Sequence, residues 1–225
     1  MRSWNLFHGN TLPPGRRAYL RAMVELVSAD RPDVVCLQEI PGWALGRVGA
    51  WVGMTEVPAL ARRPSFGPVR IPATLGRTLT LPNHGLIRSA FAGQGNAVLV
   101  GPETPVRASA SLPLAAPEPR IAQRVELEGL VVVNVHLSHG ARGAAELASV
   151  LDWLGDAAPA VVAGDFNATP DLAGFAGTIP GSIDQVVVRG ARGQARTRIW
   201  APSEREYGGR LLSDHAPVEA TFELY

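Results

Sequence analysis

The apolar residues of this 225-residue chain fall into two kinds of run. From Arg16 to Ala29, Leu20, Met23, Val24 and Val27 recur at helical spacing, and Asp30-Arg31-Pro32 ends the pattern. From Ala141 to Leu154, Leu147, Val150, Leu151 and Leu154 do the same. These spacings predict two amphipathic helices. Three other runs are continuous, short and rich in valine: Asp33–Gln38, Leu130–Leu137 and Ala160–Gly164. Such runs suit strands covered on both faces. Weaker strand patterns lie near Asn96–Val100, Ile121–Leu127, Asp184–Val188 and Pro217–Glu223. From Pro58 to Pro119, prolines and glycines interrupt every longer pattern. That stretch reads as short strands joined by loops, with the core supplied by the flanks.

The two halves of the chain resemble one another. Ser3–Gly9 leads into the first helix, and the strand Val34–Leu37 then ends in Gln38-Glu39. Val133–Gly140 leads into the second helix, and the strand from Val161 ends in Gly164-Asp165. Matching His8-Gly9 with His139-Gly140 places Asn5 opposite His136. Each half then offers a polar residue and a carboxylate at strand ends, and two such halves can face each other across one cleft.

Composition narrows the class. An apolar content of 46% with 18% charged residues excludes a disordered chain, and 24 glycines with 19 prolines favour sheet over helix. One cysteine, Cys36, excludes an internal disulfide and favours a reducing, cytoplasmic setting. A net charge of +1 gives no global case for nucleic-acid binding, so any such case is local. No apolar run approaches the roughly 18 residues of a membrane span, and Met1–Gly9 does not read as a secretory signal. Residues 1–225 read as one domain.

Chemistry-bearing residues abut the apolar runs. Glu39 follows a buried-type strand, where a carboxylate is costly unless the strand surfaces; such an oxygen donor suits a hard cation. Asn134 and His136 share one face of an otherwise apolar strand. They read either as satisfied core groups or as phosphate-binding groups at a cleft. In Gly164-Asp165-Phe166-Asn167, Asp165 and Asn167 share a face, and a carboxylate beside an amide can hold a water and a phosphate oxygen together. Here the glycine reads as permitting close approach to a ligand. Near the C-terminus, Ser213-Asp214-His215 leaves His215 in need of a partner to fix its tautomer, and Asp184 is the natural candidate.

Taken in order, Asn5, Gln38-Glu39, Asn134-x-His136, Gly164-Asp165-x-Asn167, Asp184 and Ser213-Asp214-His215 resemble the endonuclease/exonuclease/phosphatase superfamily over positions 3 to 217. The resemblance implies an α/β fold, a four-layer α/β/β/α sandwich with two facing mixed sheets. It implies Mg2+, with Mn2+ as substitute, on Glu39, with Asn5 and Asp214 close to the metal. It further implies that Asp165 and Asn167 position the attacking water and the phosphate, and that His136 faces the phosphate. His215, oriented by Asp184, is then the general base. Arg120 and Asn134 are the expected phosphate contacts, with Arg124 competing with Arg120. Two departures matter. Phe7 stands where exonuclease III-like members carry an acidic residue, and no catalytic tyrosine can be placed.

The implied activity is metal-dependent phosphodiester hydrolysis, most naturally by an endonuclease acting on DNA. Arg62, Arg63, Arg70, Arg77 and Arg88 lie in a stretch, Ala61–Ala90, without Asp or Glu, and so can track a phosphate backbone. The five tryptophans read mainly as core. The alternatives are a phosphoesterase of small molecules or phospholipid headgroups on the same core, and a non-catalytic binding module. The protein is expected to be a monomer.

Overall fold

The computed structural model describes residues 1–88, 90–114, 118–170 and 172–224. The first half runs β1 (Arg2–Asn5), the short β2 (Thr11–Leu12), α1 (Leu20–Val27), β3 (Val34–Pro41), α2 (Val48–Val52) and β4 (Thr55–Arg62). A ribbon of β5 (Ser65–Phe66) and β6 (Val69–Arg70) follows, then α3 (Ala73–Thr80), the single turn α4 (His84–Ile87) and β7 (Gln94–Val100). The second half runs β8 (Val106–Leu114), β9 (Arg120–Leu127), β10 (Leu130–His136), α5 (Gly140–Leu154), β11 (Ala160–Asp165) and β12 (Asp184–Arg189). It ends with β13 (Ala191–Ile199), the hairpin β14 (Glu206–Tyr207) and β15 (Arg210–Leu212), and β16 (Val218–Leu224).

Two mixed sheets carry the molecule. One has six strands in the order β13-β16-β1-β3-β7-β4, and the other has five in the order β12-β11-β10-β9-β8. Each contains one parallel pair, β1 with β3 and β10 with β11, and each such pair is joined through a helix. The likeness of the two halves therefore has a physical basis: both are strand–helix–strand units whose strands run side by side.

Alternation along the strands builds three apolar layers. Val35 and Leu37 of β3 face α1 and α2, packing with Met23, Val24 and Val48. Val34 and Cys36, on the opposite face, meet Val125, Val132, Val161 and Val186 of the second sheet. Beyond that sheet, Val133, Val135 and Val162 pack on Val150 and Leu154 of α5. Strands buried on both faces explain the continuous valine runs in the sequence.

Asn134 crosses the middle layer. It is fully buried; its Nδ2 donates to the carbonyls of Leu37 and Ala97 (both 3.1 Å), and its Oδ1 accepts from Gln38 Nε2 at 2.7 Å. The phosphate-binding role expected for Asn134 is thereby corrected. Its amide is committed to joining the two sheets and has no exposed atom to offer a substrate.

Three expectations about the elements also change. The first helix begins at Leu20 rather than Arg16, because the carbonyls of Gly15 and Arg16 bond across to Gly85 N (2.8 Å) and His84 N (2.7 Å) instead of along the chain. The middle stretch contains a helix, α3, and the strand expected near Asn96–Val100, β7, is fully buried, so Ala97–Val100 belong to the core instead of leaving it to the flanks. Helix α3 packs through Gly76, where a Cβ would meet the Phe91 carbonyl at 2.5 Å. The face of α3 that is buried carries Gly76 and Thr80, while Leu75 and Leu79 are exposed, so its seating does not follow an apolar stripe. The edge strands β8 and β13 are largely exposed; β13 is mostly polar, and the small alanines and serines of β8 give only a faint alternation, so apolar patterning misses both.

Asn134→Ala should lower stability by roughly 3 kcal/mol, since it strands two buried carbonyls and the Gln38 amide. Urea unfolding checks this, and an unchanged midpoint would contradict the bridging role.

Candidate active site

The parallel strands of both sheets end at one cleft, and the side chains there arrive by way of backbone irregularities. Strand β3 slips register against β7 between Leu37 and Ile40, so one extra residue is accommodated and Glu39 takes a φ of 54°. A bulge of this kind re-aims a side chain that a regular strand would keep in the sheet. Among the described residues, seven non-glycines have positive φ. Five of them, Phe7, His8, Glu39, Asn167 and Ser213, border this cleft. Such conformations cost free energy and collect where a site requires them.

Gly164 plays a different part from the one expected. A Cβ there would lie 1.9 Å from the Val135 carbonyl, so the glycine permits close packing of β11 on β10 rather than approach to a ligand. It brings Asp165 level with His136 in the parallel register.

Asn5 joins the two halves of the site. Its Nδ2 donates to Glu39 Oε1 at 3.2 Å and to Asp165 Oδ2 at 3.1 Å, while its Oδ1 accepts from Phe7 N at 3.0 Å. In this arrangement Asn5 bridges the carboxylates through its amide nitrogen. The atom turned toward the carboxylates is an amide nitrogen, which donates hydrogen bonds and does not ligate.

His215 is held from three sides. Its Nδ1 lies 2.9 and 3.1 Å from the two oxygens of Asp184, its backbone N–H donates to Ser213 Oγ, and its carbonyl accepts from Trp4 Nε1 at 2.9 Å. With Nδ1 tied, Nε2 points into the cleft, 3.8 Å from Asp165 Oδ2 and 3.9 Å from Asp214 Oδ1. Asp214 itself is exposed at the mouth. Burial lowers the pKa of His215, but the Asp184 hydrogen bond and the charges of Asp184, Asp165 and Asp214 outweigh it and push the imidazole up to about 9.

His136 is buried, with Nε2 at 3.5 Å from Asp165 Oδ2 and 3.8 Å from Glu39 Oε1. Burial, helped by Arg120, holds its pKa well below the ordinary value and favours the neutral imidazole. Asn167 and Arg120 converge on one atom, the Leu137 carbonyl, at 2.7 and 2.6 Å. Arg124 lies elsewhere, bonded to Glu126 and the Trp153 carbonyl, so of the two arginines only Arg120 borders the cleft.

Among the described residues, Glu39 has no charged partner in direct contact. Burial foremost, with Asp214 and Asp165 adding to it against the Asn5 hydrogen bond, pushes Glu39 up to about 7. Burial and Asp184 raise Asp165. The cationic-type groups within 4.0 Å of Glu39 are His136 and His8, the latter with Nε2 at 3.3 Å, and both imidazoles are kept neutral by burial. His8 was not singled out from the sequence as a site residue. Its signal there is faint, a histidine beside a glycine after the first strand.

Two sets of atoms have the chemistry to hold a cation. Asp165, Asp184 and His215 each offer a ligand atom, all within 4.8 Å of one another. In that set the Asp184 carboxylate is already bonded to His215 Nδ1, so a cation there competes with that bond. Glu39 with Asp214 offers oxygen donors without that loss.

No curated protein matches the chain. Its fold is similar to that of an endonuclease/exonuclease/phosphatase from Beutenbergia cavernae, with a TM-score of 0.72 and 17% identity over 99% of this chain and 70% of the other. It is also similar to a conserved protein of unknown function from Enterococcus faecalis, with a TM-score of 0.71, 20% identity and full coverage of both chains. A third similar structure is TDP2 from Caenorhabditis elegans, with a TM-score of 0.64 and 16% identity over 99% of this chain and 73% of the other. The model of the Endonuclease/Exonuclease/phosphatase family matches residues 3–215. With its strand ends, carboxylates and imidazoles gathered at one cleft, the chain belongs to that family.

Proposed function

We propose that this protein is a divalent-metal-dependent phosphodiester hydrolase, a nuclease acting on DNA. The observation that carries this reading is the His215 imidazole, fixed at Nδ1 by Asp184 and directed at Nε2 toward Asp165 in a cleft of under-compensated carboxylates. That arrangement can transfer a proton at Nε2 and needs an external cation to balance its charge.

Glu39 and Asp214 would hold the metal, their oxygens suiting Mg2+ or Mn2+. When bound, the cation would offset charge on the phosphate oxygens and the leaving oxygen. Asp165 orients the attacking water and His215 takes its proton. His136 donates to an equatorial phosphate oxygen as charge builds there, joined by the second N–H of Asn167 and by Arg120. Asn5 keeps Glu39 and Asp165 at a fixed separation. The Asp184 hydrogen bond and the charges of Asp184, Asp165 and Asp214 raise His215 in the metal-free protein, and a bound cation would oppose that shift.

DNA is favoured over a small phosphoester by the arginines beside the site. Arg62 and Arg88 both act on His8, and the Arg88 guanidinium sits 4.9 Å over the Phe7 ring. The protein is taken to be a cytoplasmic monomer of one domain over residues 1–225. The lone cysteine, Cys36, is buried and forms no disulfide, and no helix among the described residues is long and apolar enough to cross a membrane.

With Mg2+ or Mn2+, the protein should nick supercoiled plasmid and hydrolyse bis-p-nitrophenyl phosphate. His215→Ala, Glu39→Gln and Asp165→Asn should each lower kcat by about a thousandfold, or roughly 4 kcal/mol. Full activity in His215→Ala would sink the reading, as would a wild-type protein inert on both substrates.

The pKa shifts set the sign of a stability profile. His215 is raised from 6.5 to about 9, so its contribution is full below pH 6.5 and is lost as pH rises through 9. Glu39 is raised from 4.5 to about 7, so its contribution is lost across that lower window. The thermal midpoint of metal-free protein should therefore fall as pH rises through both windows. Added Mn2+ should raise the midpoint more at about pH 8 than at about pH 5, because protons compete for Glu39 at the lower pH. A midpoint that rises with pH in the absence of metal would contradict the site's charge balance.

A further inference from the structure

We propose that the cavity between the Gly15–Ala18 loop and helices α3 and α4 is a second anion site, binding a phosphate of the nucleic-acid strand that flanks the one being cleaved. This deepens the nuclease reading and rests on it for the identity of the ligand. The cavity has a volume of about 360 Å³ and is lined by Arg16, Arg17, Trp43, Arg77, Leu81 and His84. That volume is enough for a phosphate with part of its nucleoside.

Three arginines line this space, Arg17 with its guanidinium 5.0 Å over the Tyr19 ring. Their charge is permanent, and none of the three forms an ion pair among the described residues, whereas Arg2, Arg21, Arg107, Arg120, Arg124 and Arg198 each have a carboxylate partner. The absence is built into the sequence: neither the segment up to Val24 nor the segment from Val57 to Pro102 contains an Asp or Glu. Like charges held together without a counter-ion repel, and a phosphate offsets that repulsion with paired hydrogen bonds to planar guanidinium groups.

The cationic wall is held in place. The Arg77 guanidinium stacks 4.5 Å over the Trp43 ring. Helix α4 is seated on the Gly15–Arg16 backbone by two hydrogen bonds, and a Cβ at Gly85 would meet the Gly15 carbonyl at 2.5 Å. His84 ties this wall to the catalytic cleft: its Nε2 bonds the His8 carbonyl at 2.8 Å, and His8 Nε2 faces Glu39. His8 and His84 thus stand between Glu39 and the cavity. A ligand reaching both places carries more than one phosphate, as a nucleic-acid strand does.

The test uses a fluorescently labelled single-stranded oligonucleotide in the His215→Ala background, and oligonucleotide and bis-p-nitrophenyl phosphate hydrolysis in the active protein. Arg16→Ala/Arg77→Ala should weaken oligonucleotide binding by about tenfold at low salt and flatten its salt dependence. It should lower hydrolysis of the oligonucleotide about tenfold more than hydrolysis of bis-p-nitrophenyl phosphate. Arg77→Lys should fall between, and Arg142→Ala, an exposed arginine on α5, should change neither. Equal losses on the two substrates, or unchanged oligonucleotide binding, would overturn the second site while leaving the phosphodiesterase reading intact. A protein that binds the oligonucleotide through these arginines but hydrolyses neither substrate would support the site and overturn the nuclease reading instead.

Discussion

One amide group holds the candidate site together. Asn5 ends the first strand, and its nitrogen bonds carboxylates supplied by two different sheets, Glu39 from the first and Asp165 from the second. Two negative groups brought this close repel unless something donates to both. The register of the sheets, the bulge that turns Glu39 and the tight packing of β11 on β10 all serve that contact. Asn134 does the corresponding work deeper in the layer between the sheets, where its amide fastens β10 to the backbone of β3 and β7.

The cleft is arranged by burial as much as by contact. Burial keeps His8 and His136 neutral beside carboxylates that would otherwise protonate them. It also raises Glu39, leaving a site that holds its negative charge reluctantly and gains from a cation. His215 escapes this because three carboxylates surround it and one of them bonds it directly. Thus two kinds of imidazole occur within a few ångströms, one neutral and one cationic, set by which acids face them.

Much of this was legible in the sequence because the strands at the centre are buried on both faces. Valine runs that long have few other homes, and polar residues at their ends stand out against them. Asp184 and His215 could be paired for that reason. Where a polar residue lay inside a run, the sequence was ambiguous, since Asn134 fits a sheet-joining bridge and a phosphate contact equally well. The Glu39 bulge, the seating of α3 through Gly76 and the approach of His8 to Glu39 depend on backbone conformation and on tertiary contact, which leave no pattern in residue type. The arginines of the second anion site come from segments more than fifty residues apart, and only the fold brings Arg16 and Arg17 to Arg77.

The most direct test of the central claim is a crystal structure of the protein soaked in Mn2+, read by anomalous scattering. The expected result is a peak in coordination with the Glu39 carboxylate, with the Asp184–His215 hydrogen bond preserved. A peak held instead by Asp165, Asp184 and His215, with that bond broken, would contradict the account, as would the absence of any peak in the cleft.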